Sequence, residues 1–177
     1  MGTTAENAGR YIRLIVLIND WSLRALGPIE MATGFGWLQC KPACSVAPFA
    51  VTPDELGASW RDYRVCLPLQ VSVNGEEFGR ASGEEMKFGF HELFAHAAYS
   101  RDLPAGTILG SGTVSNADYA RVGSSCIAEK RAIETVEHGE AQTSFLQHGD
   151  QVTMRSETEA GLNLFGDISQ SVAIPER

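Results

Sequence analysis

A short segment near the start of the chain carries the residue types from which binding and catalytic sites are built. The apolar run of residues 14–18 leads directly into residues 19–24, which supply a carboxylate, an indole, a hydroxyl and a guanidinium. Polar groups at the end of a buried element favour a ligand site. The alternative is that Asn19 and Asp20 cap a following helix, because short oxygen-bearing side chains accept hydrogen bonds from the free N–H groups of a first turn. The segment alone leaves both interpretations open.

A second segment with site chemistry is the glycine-rich stretch of residues 107–116, predicted as a strand that runs into a turn. It lacks the Gly-Lys-Ser/Thr ending of a P-loop and the three-glycine pattern of dinucleotide-binding proteins, which argues against a nucleotide site. Its small residues allow backbone amides and the Thr113 hydroxyl to approach a ligand, although a tight structural turn has the same composition. Farther along the chain, Glu129 places a carboxylate directly after an apolar run.

Two other patterns resemble metal sites but do not have the required spacing. His91 and His96 suggest a zinc-protease helix, but they are five positions apart, which places them about 140° apart around a helix, whereas that motif needs a spacing of four positions. Cys40 and Cys44 have no second pair to complete a zinc site. The four cysteines of the chain are therefore expected to be reduced thiols of the core and loops.

Composition narrows the classes of function. The chain has 177 residues, 44% hydrophobic and 20% charged, and these values are typical of one globular domain spanning residues 1–177. A net charge of −8 without a basic cluster makes nucleic acid an improbable partner. The longest apolar run, residues 14–18, is too short to span a bilayer, and residues 1–6 lack the features of a signal peptide, so no membrane association and a cytoplasmic location are expected.

Periodicity and turn chemistry predict the elements that position these residues. Helices are predicted over residues 5–10, capped by Thr3 or Thr4, over residues 21–31 with an interruption at Gly27-Pro28, and over residues 88–99. Strands are predicted over residues 11–18, 45–51, 65–73 and 151–155, the second at a sheet edge because Pro48 cannot donate to a ladder. Hairpin turns are predicted at Asn74-Gly75 and at residues 157–161, with return strands through Phe78 and over residues 162–166. The pattern indicates an α+β fold, rich in β-structure, with short flanking helices.

Four motifs together resemble one family. They are residues 19–24 (Asn-Asp-Trp-Ser-Leu-Arg), Lys41-Pro42 after a Gly-Phe-Gly-Trp turn, residues 110–115 (Gly-Ser-Gly-Thr-Val-Ser), and the closing Gly166-Asp167-Ile168. Their order and spacing resemble the C-terminal catalytic domain of the fumarylacetoacetate hydrolase family, bacterial type, over almost the whole chain.

The resemblance implies a β-roll of mixed sheets, a homodimer and a bound divalent cation, Mg²⁺ or Ca²⁺. Members of the family hydrolyse a carbon–carbon bond in a β-diketo acid, converting fumarylacetoacetate to fumarate and acetoacetate in tyrosine and phenylalanine catabolism. Relatives decarboxylate oxaloacetate or open acylpyruvates. The expected ligand is accordingly a small oxo acid.

The resemblance also assigns roles to individual residues. Asp20 matches a metal-binding aspartate, and Arg24 matches a substrate-binding arginine on the same turn. Lys41 matches the lysine that stabilises a developing oxyanion, and Thr113 matches a contact to the substrate carboxylate. Glu129 matches the glutamate that activates water. These matches change the interpretation of Asp20 from a helix cap to a metal ligand.

Two departures from the family pattern affect the expected activity. The family has a glutamine a few residues after the arginine that shares in stabilising the oxyanion, whereas residues 25–30 here contain none, and Gln39 is the candidate replacement, expected as a substrate-binding residue. The family's Glu-x-Glu metal pair and catalytic histidine lie upstream of the segment that matches Met1. A single carboxylate does not make a tight Mg²⁺ or Ca²⁺ site. We therefore expect this chain alone to bind metal weakly and to have little hydrolase activity.

Three functions are compatible with these observations. The first is metal-dependent carbon–carbon hydrolysis, with the site of this chain incomplete. The second is a non-catalytic domain of the same fold that binds a small acid or mediates dimerisation. The third is decarboxylation or tautomerisation of an oxo acid.

Overall fold

The computed structural model of the protein describes residues 1–174, which form short helices and antiparallel strands. The strands are β1 (Ile15–Asn19), β2 (Ser45–Val51), β3 (Trp60–Arg61), β4 (Arg64–Val65), β5 (Pro68–Val73), β6 (Glu76–Ser82), β7 (Gln151–Ser156) and β8 (Ile168–Ser171). The α-helices are α1 (Ala5–Ala8), α2 (Gly27–Thr33), α3 (Phe90–Ala97), α4 (Tyr119–Val122) and α5 (Ile127–His138). Short 3-10 helices cover Gly9–Tyr11, Pro53–Ser59 and Gly83–Glu85. The predicted α+β class is confirmed.

The largest sheet is four-stranded and antiparallel, with the strand order β6-β5-β7-β8. Its first hairpin turns at Asn74 and Gly75, as predicted, with φ angles of 53° and 83°. Positive φ at both central residues matches the twist of the flanking strands. The Asn74 side chain also accepts a hydrogen bond from the Gln151 backbone N–H at 2.8 Å, which ties this turn to β7.

The core lies where the antiparallel pair β1–β2 packs against this sheet. Its buried residues are Ile15, Ala47, Leu56, Leu67, Val71, Val152, Met154, Phe165 and Ile168. The predicted edge position of β2 is confirmed, because within residues 1–174 β1 is its only strand partner, and the Phe49 N–H bonds to the Phe165 carbonyl at 3.1 Å. Packing of β1 against the core therefore fixes the strand end that leads into the candidate site.

The helix predicted over residues 88–99 is confirmed as α3, with the Glu92 carboxylate accepting the Gly89 N–H at 2.8 Å at its start. The helix predicted over residues 21–31 is wrong in its bounds. The Gly27-Pro28 pair begins α2 instead of interrupting it, because proline needs no N–H partner in a first turn. Among residues 1–174, no helix combines the length and apolarity needed to cross a membrane.

Three predicted strands differ from the structure. The first begins at Ile15 and not at residue 11, because Gly9–Tyr11 continue α1 as a 3-10 turn. Residues 162–166 are not the return strand, because the Gly166 N–H bonds to the Asn163 side chain at 3.0 Å and the chain turns there, with Phe165 entering the core. The return strand is β8. Residues 107–116 form no strand and are held by side-chain contacts described below.

Candidate functional site

The pairing of β1 with β2 determines where Asp20 lies. Asn19, the last residue of β1, is opposite Ser45, the first residue of β2. Because the strands are antiparallel, the residue after Asn19 and the residue before Ser45 leave the sheet side by side, and these are Asp20 and Cys44. Beyond them, the Trp21 indole N–H donates to the Ser45 hydroxyl at 3.3 Å. The end of an apolar strand pair thus presents a carboxylate and a thiol together.

The helix-cap interpretation of Asn19 and Asp20 is wrong. The N-cap of α2 is Leu26, and no side chain caps that helix. The Asp20 carboxylate instead contacts two side chains of the segment that precedes β2. Lys41 Nζ lies 2.9 Å from Asp20 Oδ2, and the Cys44 thiol donates to Asp20 Oδ1 at 3.2 Å.

This ion pair is only partly shielded from water. The Lys41 side chain is 27% exposed and that of Asp20 is 54% exposed. Partial burial acts to raise the pKa of Asp20, but the hydrogen bonds from Lys41 and Cys44 and the charge of Lys41 together lower that pKa below its ordinary value. Burial, followed by the hydrogen bond to Asp20 and its charge, raises the pKa of the Cys44 thiol. Near neutral pH the cluster is therefore a carboxylate held between an ammonium group and a protonated thiol.

Arg24 connects this cluster to the N-terminus of α5. Its guanidinium lies 3.9 Å from the sulfur of Cys126, the residue before α5 begins. The neighbouring Leu23 N–H donates to the Cys40 carbonyl at 2.7 Å, so the turn after β1 also contacts the segment that carries Lys41. The turn after β1 therefore contacts the segment that carries Lys41 through Leu23 and the start of α5 through Arg24.

Glu129 lies in the first turn of α5 and is held by two serines. Its carboxylate accepts hydrogen bonds from the Ser115 and Ser124 hydroxyls. Ser124 is 2% exposed, and its backbone packs so tightly on Gly79 that a Cβ there would lie 2.3 Å from the Ser124 carbonyl oxygen. Glu129 is therefore oriented by a rigid support, and it anchors the glycine-rich segment to α5.

The other two candidates lie in exposed loops. Thr113 is exposed and lies two residues before Ser115, so the Ser115–Glu129 bond holds its segment near the start of α5. Gln39 is exposed and lies two residues before Lys41. Among residues 1–174, no hydrogen bond or ion pair joins Glu129 directly to Asp20 or Lys41.

Glu30 fixes the segment that leads into Lys41. From α2, its carboxylate accepts the N–H groups of Leu38 at 3.0 Å, Gln39 at 2.5 Å and Cys40 at 3.1 Å. The side chain of Cys40 and these three N–H groups lower the pKa of Glu30 to about 2. Charge-assisted hydrogen bonds of this kind favour the ionised carboxylate.

This pKa predicts how stability depends on pH. Because the folded value of about 2 lies below the ordinary value of 4.5, ionised Glu30 stabilises the folded chain above pH 4.5, and this contribution is lost as the pH falls towards 2. We expect Glu30→Gln to lower the free energy of unfolding near neutral pH, with the difference from the wild type shrinking on acidification. Urea unfolding measured across this range tests it. A difference that is constant with pH would contradict it.

Four residues with evident roles were not indicated by the sequence: Cys44, Glu30, Ser115 and Ser124. The register of β1 on β2 would have identified Cys44, since it places residue 44 beside residue 20. The other three act through returning loops, for which the sequence contains no periodic signal. Glu30 bonds residues 8 to 10 positions away, and Ser115 and Ser124 lie 14 and 5 positions from Glu129, so only the folded loops bring these partners together.

The described residues do not by themselves fit a Mg²⁺ or Ca²⁺ site. Within residues 1–174, no group of three or more His, Cys, Asp and Glu side chains is arranged to hold a metal ion. Asp20 is a single carboxylate, and both its oxygens already accept hydrogen bonds, one of them from a cationic group. These cations need about six or more oxygen ligands.

Comparisons with known proteins agree with the sequence motifs. The family model described as "Fumarylacetoacetate (FAA) hydrolase C-terminal" matches residues 1–173. The chain is 29% identical to fumarylacetoacetase of Bos taurus and 28% identical to that of Caenorhabditis elegans, in each case over 84% of this chain. These alignments cover 42% and 41% of the relatives, so the chain spans about two fifths of their length.

A solved structure is similar in fold. The crystal structure of a fumarylacetoacetate hydrolase family protein from Yersinia pestis CO92 superposes with a TM-score of 0.62 at 15% sequence identity. The superposition covers 97% of this chain and 63% of that chain. At this level of identity, the match concerns the arrangement of helices and strands.

Proposed function

Because the chain belongs to the fumarylacetoacetate hydrolase family, we propose that it takes part in the hydrolysis of a carbon–carbon bond in a β-diketo acid. The observation that carries the proposal is the pairing of Lys41 with Asp20 at the partly open end of β1. In this reaction the hydroxyl of water adds to one carbonyl carbon, the neighbouring carbon–carbon bond breaks, and the departing carbon takes up a proton. Negative charge develops on a carbonyl oxygen at each step.

Lys41 is the group proposed to stabilise that charge. A fixed ammonium beside a developing oxyanion lowers the barrier, because its interaction is stronger in the transition state than with the neutral carbonyl. The ion pair with Asp20 limits the positions that the long side chain can take. Arg24 and Thr113 are proposed to bind the carboxylate of the substrate, and Gln39 to bind the substrate beside Lys41 and share in stabilising the oxyanion.

Glu129 is the group proposed to take the proton from the attacking water. A general base must be oriented as well as unprotonated, and the two serine hydroxyls provide that orientation. Asp20 is proposed as one ligand of a divalent cation, Mg²⁺ or Ca²⁺. Such a cation polarises a 1,3-dioxo group when bound. The described residues supply one carboxylate to it, and no step above depends on it.

The proposal is tested by turnover and by metal titration. The 177-residue chain and the longest natural polypeptide that contains it are assayed in parallel with fumarylacetoacetate, an acylpyruvate and oxaloacetate. We expect the β-diketo acid to be cleaved, and we expect the 177-residue chain to show weak Mg²⁺ binding by calorimetry and little turnover. Preference for oxaloacetate would favour decarboxylation instead. Binding of these acids with no turnover in either preparation would favour a non-catalytic domain.

The surface of the chain supports assembly with a second polypeptide. Its accessible surface is 11620 Å², whereas a monomeric protein of 19.1 kDa exposes about 8,400 Å². The excess of about 3,200 Å² on one chain is larger than the roughly 1,000–2,500 Å² that each partner of an obligate dimer buries. We propose a cytoplasmic homodimer, and light scattering coupled to size-exclusion chromatography should give twice the chain mass. A monomer at micromolar concentration would contradict this part of the proposal.

A further inference from the structure

The segment between α2 and β2 has few packing contacts to hold it in place. Residues 34–39 are all exposed, including Phe35 at 97% and Leu38 at 77%. Exposed loops of this kind open locally at low free-energy cost. Yet Lys41, which follows directly, keeps its ammonium within 2.9 Å of Asp20.

Two sets of contacts fix the last residues before Lys41. The carboxylate of Glu30 accepts three consecutive backbone N–H groups, those of residues 38–40. Cys40 is 1% exposed, and its carbonyl accepts the N–H of Leu23, which follows the Asp20 turn. The Glu30 carboxylate thus holds the backbone of residues 38–40 on one side. On the other side, the hydrogen bond from Leu23 fixes this backbone next to the turn that carries Asp20.

We propose that Glu30 is a positioning residue for Lys41, acting through the backbone of residues 38–40. This inference rests on the role proposed for Lys41. The reason is geometric. Because the lysine side chain is long and flexible, the position of the Lys41 backbone decides whether the ammonium reaches Asp20. Three hydrogen bonds to one carboxylate set that starting point, whereas the exposed apolar neighbours of the loop do not.

The first test measures the position of Lys41 without any assay of activity. The chain has three lysines, and the exposed Lys87 is an internal reference. Brief labelling with an amine-reactive reagent, read by mass spectrometry, compares Lys41 with Lys87 in the wild type, Glu30→Gln, Glu30→Ala and the surface control Glu159→Gln. We expect severalfold faster relative labelling of Lys41 in both Glu30 variants, approaching the rate in Asp20→Asn, and no change in the control.

The same variants separate positioning from a merely structural role. Amide hydrogen exchange shows whether residues 38–40 have opened, and circular dichroism shows whether the fold is retained. Open amides with an unchanged Lys41 to Lys87 ratio would overturn the proposal, because Glu30 would then hold only the loop. If Glu30→Ala fails to fold, Glu30→Asp decides instead, since it keeps the charge but shortens the reach by one methylene and should still speed the labelling.

Activity provides the second test. In the longest natural polypeptide that contains the chain, Glu30→Ala should lower kcat about 10- to 100-fold with a smaller change in KM, since misplacing a catalytic group by about 1 Å has effects of this size. The double variant Glu30→Ala/Lys41→Met should lose far less kcat than the product of the two single losses, because Glu30 acts mainly through Lys41. Additive losses would overturn the proposal. If Lys41→Met does not alter turnover, the role proposed for Lys41 is wrong, and the labelling result still decides whether Glu30 positions it.

Discussion

Replacement of Lys41 by methionine is expected to lower kcat for a β-diketo acid by about 10²- to 10³-fold, the usual cost of losing one oxyanion-stabilising donor. Methionine is an unbranched side chain of similar length but carries no charge. The loss should appear mainly in kcat, because the ammonium interacts more strongly with the developing oxyanion than with the neutral ground state. Steady-state kinetics on the longest natural polypeptide that contains the chain measure this.

The matched control is Lys87→Met, which removes the same charge from an exposed position. Its kcat should stay within a factor of two or so of the wild type, as expected for a surface substitution distant from the site. An unchanged kcat in Lys41→Met would remove the central residue of the proposed mechanism. An equal rise in KM with no loss of kcat would assign Lys41 to substrate binding alone.

Local signals were sufficient for the parts of the fold that depend on neighbouring residues. The hairpin at Asn74 and Gly75 follows from turn chemistry, and α3 follows from helical periodicity. Two strand predictions were wrong because strand formation depends on distant parts of the chain. Among the described residues, 107–116 have strand-like composition but no backbone pairing with a strand, and the return to β7 was displaced because Phe165 enters the core. A strand needs a partner edge, which composition does not reveal.

The candidate site also contains residues that the sequence identified and residues that only the fold reveals. The motifs around Asp20, Lys41 and Glu129 were recognisable as patterns in the chain, and the structure joins the first two directly. The residues that hold them were not recognisable. Glu30 in a helix and Ser124 before another helix are ordinary residues in sequence, and their function depends on which way a loop returns. The sequence therefore identifies the residues proposed to react more readily than the residues that hold them in position.

Replacement of Glu129 by glutamine is expected to lower kcat by about 10²- to 10⁴-fold, the range associated with loss of a general base. Glutamine keeps the shape and one acceptor oxygen, so one of the bonds from Ser115 and Ser124 can persist. The fold should consequently be retained while the ability to take a proton is lost. Glu140→Gln, an exposed substitution just beyond the end of α5, is the control for the change of charge.

A structural role for Glu129 also predicts lost activity, because the carboxylate anchors the glycine-rich segment to α5. Chemical rescue separates the two roles. In Glu129→Ala, a small carboxylate such as formate can occupy the vacated space and accept the proton, so added formate should restore part of kcat in proportion to its concentration. Chloride at the same ionic strength should restore none. If formate and chloride act alike, while hydrogen exchange shows residues 110–116 released, then Glu129 supports the site without taking part in proton transfer.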